Sequence, residues 1–339
     1  KLLTYIASKV SYAMIVKIER YYKYPDLKRQ TPNNSMTWKD FTFTEEPVEE
    51  CDYLVVLDYP KEDFSIKVNK NNIIHLCLEP PNEVSKYRQY ANKKASVIYK
   101  QLETKISKDT VLSHGALPWH IDKDYDYLNN LHPEILEKQN KIVWITSNQE
   151  SSNGHKKRMK FFQNIKESSC VEVYGRGINP IDDKWEVLKN SKYAIAYENF
   201  QNDYYWTEKI ADCFLSYTMP IYYGCNSIEN FFPKDSFIQL DPNDKHIHLF
   251  LKEVVDSNLW EENREAIKKA RDLVLNEYQL FPFLYNQIKA IESTKGGFTS
   301  SQKELMYFKG NDDYFDNYPL SVSIEKQLAK LLRRLNKRF

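Results

Sequence analysis

From residue 142 onward, short apolar β-prone runs alternate with stretches of helical periodicity, and this alternation restricts the fold more than any other feature of the chain. Residues 142–146, 171–174, 193–197, 221–223 and 237–240 read as strands, and 155–165, 183–190, 207–217 and 227–232 between them read as helices. Strands separated by helices of this length predict a doubly wound parallel sheet. Such sheets bind ligands in the crevice beyond the carboxyl ends of their strands.

The first half repeats the α/β pattern less regularly. Strands are expected at 53–57, 73–78 and 95–99, and helices around 8–22 and 83–94. A chain of 339 residues exceeds the ~100 to 200 residues of a usual single domain, so two domains with a cleft between them are expected. The division reads as residues 1–138, 139–294 and a connector with tail over 295–339, the junction falling near 131–139. After residue 291 the composition turns to Gly, Ser, Asn and Asp. The tail then becomes amphipathic over 323–339. Ile324, Leu328, Leu331, Leu332, Leu335 and Phe339 share one helical face, surrounded by six basic residues against the single acid Glu325. That pattern fits either a helix docked on protein or a peripheral contact with an anionic membrane.

The formal net charge is +1, and no aromatic-rich basic motif is present, which argues against nucleic acid as a partner. Cys51, Cys77, Cys170, Cys213 and Cys225 show neither CxxC spacing nor a paired framework, so they read as reduced core residues of a cytoplasmic protein. No apolar run approaches the ~20 residues that span a bilayer.

Chemistry concentrates between residues 193 and 237. Glu198 and Asn199 end one strand, and Thr207, Glu208 and Lys209 open the next helix. A helix N-terminus at that position offers free amides to an anion, and Thr207 is a good N-cap. Lys209 stands in the first turn, where the helix dipole disfavours a cation, so an anion is expected beside it. The same residues also permit a purely structural role, with Thr207 and Glu208 capping, Tyr205 packing and Lys209 solvated.

The run Glu198, Asn199, Tyr205, Thr207, Glu208, Lys209, an ENxxxxxYxTEK pattern, is followed by Pro220 to Gly224 (PIYYG) and by Phe231-Phe232-Pro233. It resembles the signature of glycosyltransferase family 10, the α1,3-fucosyltransferases, over roughly residues 142–240. The resemblance implies a GT-B-like architecture of two facing Rossmann-type α/β domains, here with a C-terminal amphipathic helix added. It implies GDP-fucose as donor, with Lys209 on the diphosphate, Glu208 on the ribose hydroxyls, and Asn199 and Tyr205 holding the donor. Arg158, in the basic run after Gly154, is the best-placed counterpart of a family arginine that neutralises the leaving diphosphate. A solvated helix face is the alternative for it. Tyr174 and Gly175 resemble a Tyr-Gly turn beside the nucleotide, although a plain turn explains them as well. Glu198 reads as lining the site, or as a strand-end carboxylate bonding loop amides.

Glu79-Pro80-Pro81 ends an apolar strand and parallels the family's Glu-Ser-Pro element, which bears the general base; Pro80 departs from that pattern. Glu79 is therefore the expected base, with Glu83 as the fallback and a plain ion pair as the structural alternative. A carboxylate of this kind removes the acceptor hydroxyl's proton in an inverting transfer.

Metal is not expected. Asp124-Tyr125-Asp126 has a DxD form but lies in a polar Tyr-rich segment, and His114, His120 and His132 lack close ligand spacing. The expected function is inverting transfer of L-fucose to an N-acetylglucosamine-containing oligosaccharide or lipid-linked glycan of a bacterial-type surface polysaccharide. The expected location is the cytoplasm, with peripheral contact at the inner membrane face through 323–339. The alternatives are a GT-B enzyme using another sugar nucleotide and a noncatalytic sugar-nucleotide or glycan-binding protein.

Overall fold

The computed structural model describes residues 13–82, 94–102, 110–294, 302–310 and 320–336. In chain order the strands are β1 (Met14–Arg20), β2 (Thr37–Trp38), β3 (Phe41–Thr44), β4 (Tyr53–Leu57), β5 (Phe64–Val68), β6 (Ile73–Leu76), β7 (Val97–Lys100), β8 (Thr110–Leu112), β9 (Gln139–Ile145), β10 (Val171–Tyr174), β11 (Ser191–Tyr197), β12 (Met219–Tyr223), β13 (Ile238–Gln239) and β14 (Glu304–Phe308). The α-helices are α1 (Tyr125–Asn129), α2 (Asn153–Ile165), α3 (Lys184–Leu188), α4 (Glu208–Leu215), α5 (Ile247–Asp256), α6 (Leu259–Glu262), α7 (Arg264–Leu273), α8 (Leu280–Thr294) and α9 (Leu320–Asn336).

Two larger sheets result, beside a two-stranded β5-β14 pair. The first has the order β2-β3-β1-β4-β6-β7-β8, parallel except for the antiparallel β2-β3 pair. The second has the order β10-β9-β11-β12-β13 and is parallel throughout. Its central strand β11 is covered on both faces, which is why 193–197 reads as a continuous apolar run rather than an alternating one. The expected parallel sheet of the second half is present, each strand within a few residues of its expected span.

The first half departs from expectation at its start. Residues 14–20 form the strand β1 rather than part of a helix, pairing in parallel with β3 and β4. Helical spacing of the apolar residues there is overridden by burial between two neighbours: Met14, Val16 and Ile18 all enter the core. Lys17 is buried with them, satisfied by the Ile18 and Glu45 carbonyls and by Glu19 at 2.7 Å. Nearly all of the helix expected over 83–94 lies outside the described residues.

The end of the chain also belongs elsewhere than expected. Leu280, Phe281, Phe283, Leu284 and Ile288 of α8 pack into the core of the first sheet, with Phe41, Phe43 and Leu76. Strand β14 pairs antiparallel with β5, and Phe308 stacks on Phe64. The first body therefore includes α8 and β14, and the boundary expected at 294 moves back to the turn before Leu280. Gln279 fixes that crossing, donating to the Gln30 carbonyl and accepting from the Phe281 amide.

Cys51, Cys77, Cys213 and Cys225 are buried and Cys170 is partly so, all five with free thiols. Asp124 caps α1 by accepting from the Tyr127 amide, and Asp126 accepts from the Asn33 amide, so the DxD-like segment serves local structure.

Candidate active site

A cleft of about 320 Å³ opens where the carboxyl ends of the two sheets meet. Three adjacent strands of the first sheet supply one wall: Tyr21 and Tyr22 follow β1, Asp58 follows β4, and Leu78 and Glu79 follow β6. Asn199 after β11, Tyr205 from the following loop, and Thr207, Glu208 and Lys209 at the start of α4 supply the other. Five residues expected in the site from sequence, Glu79, Asn199, Tyr205, Glu208 and Lys209, thus line one cavity. A second cleft of about 270 Å³ shares Asn82 and Asn199 with it and adds Gly154, Lys157, Tyr197, Glu198 and Tyr223.

The loop between β11 and α4 is built by short-range bonds. Asn202 accepts from the amides of Tyr204 and Tyr205 and donates to the Gln101 carbonyl, tying the loop to the first sheet's body. Thr207 caps α4, its hydroxyl accepting from the Lys209 amide, a contact of a kind worth ~1 kcal/mol. Behind the cap, Ile210, Phe214 and Leu215 anchor the helix in the core.

Glu198 sits beneath this cap with 1% of its surface exposed. It accepts from the Thr207 amide (2.8 Å), the Thr207 hydroxyl (2.7 Å) and the Lys209 ammonium (3.1 Å). Both carboxylate oxygens are engaged in holding the helix start, the role of a strand-end carboxylate bonding loop groups, and the residue borders only the second cleft.

A charged cluster surrounds Lys209. Its ammonium lies 3.1 Å from Glu198 and 3.4 Å from Glu208. Lys184 lies 2.7 Å from Asp212 and 3.9 Å from Glu208, and His120 lies 3.9 Å from Glu208. Burial works against the Lys209 ammonium, but Glu198 and Glu208 outweigh it and hold its pKa above the usual lysine value. Burial likewise opposes the Glu208 carboxylate, and Lys209, His120 and Lys184 overcome it, keeping that pKa well below the ordinary range. Glu198 goes the other way, its desolvation outweighing Lys209 and raising its pKa. The pKa of His120 is lowered by burial, which outweighs the opposing pull of Glu208. Lys209 is therefore a fixed cation at the cavity wall, and an arriving anion competes with Glu198 and Glu208 for it.

Arg158 is placed behind the cavity rather than in its wall. It is 5% exposed, and its fork donates to the Asn199 side-chain oxygen at 2.7 Å and to the Ser147 carbonyl at 3.0 Å. It thus joins the ends of β9 and β11 and holds Asn199, which does face the cleft. Gly154, one turn earlier on α2, makes this approach sterically feasible: a Cβ there would come within 1.6 Å of the Asn199 carbonyl oxygen. Arg158→Ala is expected to lower the unfolding free energy by about 1 to 3 kcal/mol, the cost of leaving buried acceptors unpaired. A urea titration checks this, and unchanged stability would return Arg158 to a ligand-facing role.

Tyr174 and Gly175 are not brought to the cleft. The Tyr174 hydroxyl donates to Glu172 at 2.9 Å. Gly175 has φ 122°, and a Cβ there would meet the Thr146 carbonyl oxygen at 1.8 Å, so this glycine serves the turn after β10, packed against the end of β9. Glu83 lies outside the described residues.

Sequence reasoning missed much of the first wall: Tyr21, Tyr22, Tyr24, Asp58 and Leu117, together with His155 of α2, while His120, weighed from sequence as a structural residue or substrate contact, does line the cleft. The Tyr-rich stretch just past β1 was the available signal, but it marks a site only once that segment is known to be a strand end.

Two largely parallel sheets, with a lysine-bearing helix start and a carboxylate lining one cleft, define a two-sheet α/β protein with a ligand-sized crevice at its strand ends. Residues 135–259 match the family described as glycosyltransferase family 10 (fucosyltransferase), C-terminal part. The chain is 28% identical over 132 residues to 4-galactosyl-N-acetylglucosaminide 3-alpha-L-fucosyltransferase 9 of Homo sapiens, covering 37% of this chain and 36% of that protein. It is 27% identical over 139 residues to 4-galactosyl-N-acetylglucosaminide 3-alpha-L-fucosyltransferase FUT6 of Pongo pygmaeus, covering 39% and 36%. The match thus spans about a third of the length of these curated relatives. Among solved structures, an alpha1,3-fucosyltransferase crystallised with GDP-fucose aligns over 97% of this chain and 93% of its own at 16% identity, with a TM-score of 0.38. An alpha-glucosyltransferase in complex with UDP aligns over 82% and 99% at 12% identity, with a TM-score of 0.48.

Proposed function

We propose that this chain is an inverting α1,3-fucosyltransferase that moves L-fucose from GDP-fucose to an N-acetylglucosamine-containing glycan, as in a bacterial-type surface polysaccharide. The observation that carries the reading is the single cavity lined by Glu79 from one sheet and by Glu208 and Lys209 from the other. The match to family 10 over 135–259, and relatives named as 3-alpha-L-fucosyltransferases, support the choice of sugar and linkage.

In this reading the acceptor oxygen bonds to the anomeric carbon as the bond from that carbon to the diphosphate breaks, and the acceptor proton passes to Glu79. Lys209 meets the charge that develops on the departing diphosphate, the part a cation plays in other transferases, so no metal is assigned. Glu208 takes the ribose hydroxyls, while Asn199 and Tyr205 border the donor. Burial raises the Tyr205 phenol's pKa far enough that it acts as a neutral hydrogen-bonding group.

Incubation with GDP-fucose and a panel of β-galactosyl-N-acetylglucosamine acceptors, following GDP release and product linkage, tests the reading. Acceptor-dependent release of GDP supports it. Turnover of a different sugar nucleotide alone would make the chain another GT-B transferase, and binding without turnover would make it a noncatalytic binder.

The tail completes the reading. Within α9, Leu320, Ile324, Leu328, Leu331 and Leu332 are all at least half exposed, so no described part of the chain covers the apolar stripe. The basic residues around it suit an anionic membrane surface, at ~1 kcal/mol each. None of the described helices is long and apolar enough to cross a membrane; in this reading the tail makes a peripheral contact at the cytoplasmic face. Deleting residues 320–339 is expected to abolish co-sedimentation with anionic vesicles while leaving turnover of a soluble acceptor intact. Undiminished vesicle binding would overturn the membrane role.

A further inference from the structure

The three strand ends that form the first wall do more than border the cleft. In the sheet order β1, β4, β6, Tyr21 and Asp58 directly follow β1 and β4, and Glu79 lies three residues past the end of β6. The Tyr21 hydroxyl donates to the Glu79 carboxylate at 3.1 Å. The Asp58 carboxylate, fully buried, accepts from the amides of Leu78 (2.9 Å) and Glu79 (3.3 Å). Asp58 itself is fixed, its amide bonded to the Leu76 carbonyl and its backbone in the left-handed region at φ 56°. The Tyr21 ring stacks on Tyr59 with centroids 4.2 Å apart and planes 9° from parallel. The hydroxyl that touches Glu79 is thus carried on an immobilised ring.

We propose that Tyr21 and Asp58 are positioning residues for Glu79, a two-point clamp in which Asp58 fixes the base's main chain and Tyr21 fixes its carboxylate toward the acceptor. The inference rests on the assignment of Glu79 as base. A carboxylate on a strand end has free rotation about three side-chain bonds, and a general base must lie within hydrogen-bond reach of the proton it removes. A donor held on the carboxylate restricts that rotation. Because the clamp acts through the base and not on the nucleotide, its loss changes transfer rate and leaves GDP affinity alone.

Tyr21→Phe keeps the ring stack and removes only the hydroxyl. It is expected to lower kcat for transfer on the order of 10-fold, the scale of a hydrogen bond to a charged group, with melting temperature and GDP affinity unchanged. The decisive measurement is the double-mutant cycle with Glu79→Gln, read as residual turnover. Once the base is gone Tyr21→Phe should cost nothing further, whereas a merely structural Tyr21 would multiply the two losses. Wild-type transfer with an unaffected Tyr21→Phe variant, or multiplicative losses in the cycle, overturns the clamp alone. A wild-type protein that turns over GDP-fucose but keeps its full rate in Glu79→Gln overturns the base assignment, and the clamp with it.

Discussion

Lys209→Met is expected to lower fucosyl transfer by ~10²- to 10³-fold, the usual loss when one group that stabilises developing charge is removed. The same substitution should also destabilise the fold, because the ammonium is the cation paired with the buried Glu198 carboxylate at 3.1 Å. Breaking a buried pair from one side commonly costs ~3 to 5 kcal/mol. The two effects separate by pH. Glu198 already has a raised pKa from burial, and loss of Lys209 raises it further. A carboxyl whose folded pKa lies above its unfolded value favours the folded state fully below the unfolded pKa of ~4.3, and that contribution is lost as pH rises through the folded value. The melting-temperature gap between wild type and Lys209→Met should therefore be small below that pH and widest near neutrality. Glu198→Gln combined with Lys209→Met removes the stranded charge, so stability should recover while transfer does not. Recovery of transfer in the double variant would show that Lys209 acts only on the fold.

Glu79→Gln is expected to reduce transfer by ~10²- to 10⁴-fold, the range for loss of a general base, with GDP affinity unchanged by calorimetry. The amide keeps a side-chain oxygen able to accept from the Tyr21 hydroxyl, and the backbone bond to Asp58 is untouched. Only the capacity to take up the acceptor's proton is lost. An active Glu79→Gln alongside an inactive Glu83→Gln would move the base to the next segment of the chain.

The second sheet and the donor side of the cleft were legible because their determinants are local. Strand ends, caps and turns between residues 142 and 240 are fixed by neighbours a few positions away. Glu198, Thr207 and Lys209 meet through one loop, with the cap and the strand end only nine residues apart. A spaced motif can therefore stand in for the geometry itself. The same logic failed for Arg158: its place in α2 was readable, but the direction of its fork was not, since Asn199 lies 41 residues away and comes close only when β9 and β11 pair. Position 175 shows the converse, a glycine whose purpose is to admit a neighbouring strand rather than a ligand.

What the sequence by itself determined was the alternation that forces a parallel sheet and the chemical outfit of the loop after β11. Both follow from periodicity and short-range hydrogen bonding, which act within one segment. Tertiary structure alone decided that residues 14–20 are a central strand, that α8 returns to the first body, and that Tyr21, Asp58 and Glu79 become neighbours. Tyr21 and Glu79 are 58 residues apart, and nothing in the segment of Tyr21 marks it as a partner of Glu79. Their contact exists because hydrophobic burial aligns β1, β4 and β6 in register, and burial depends on the area removed from water and not on the order of residues along the chain.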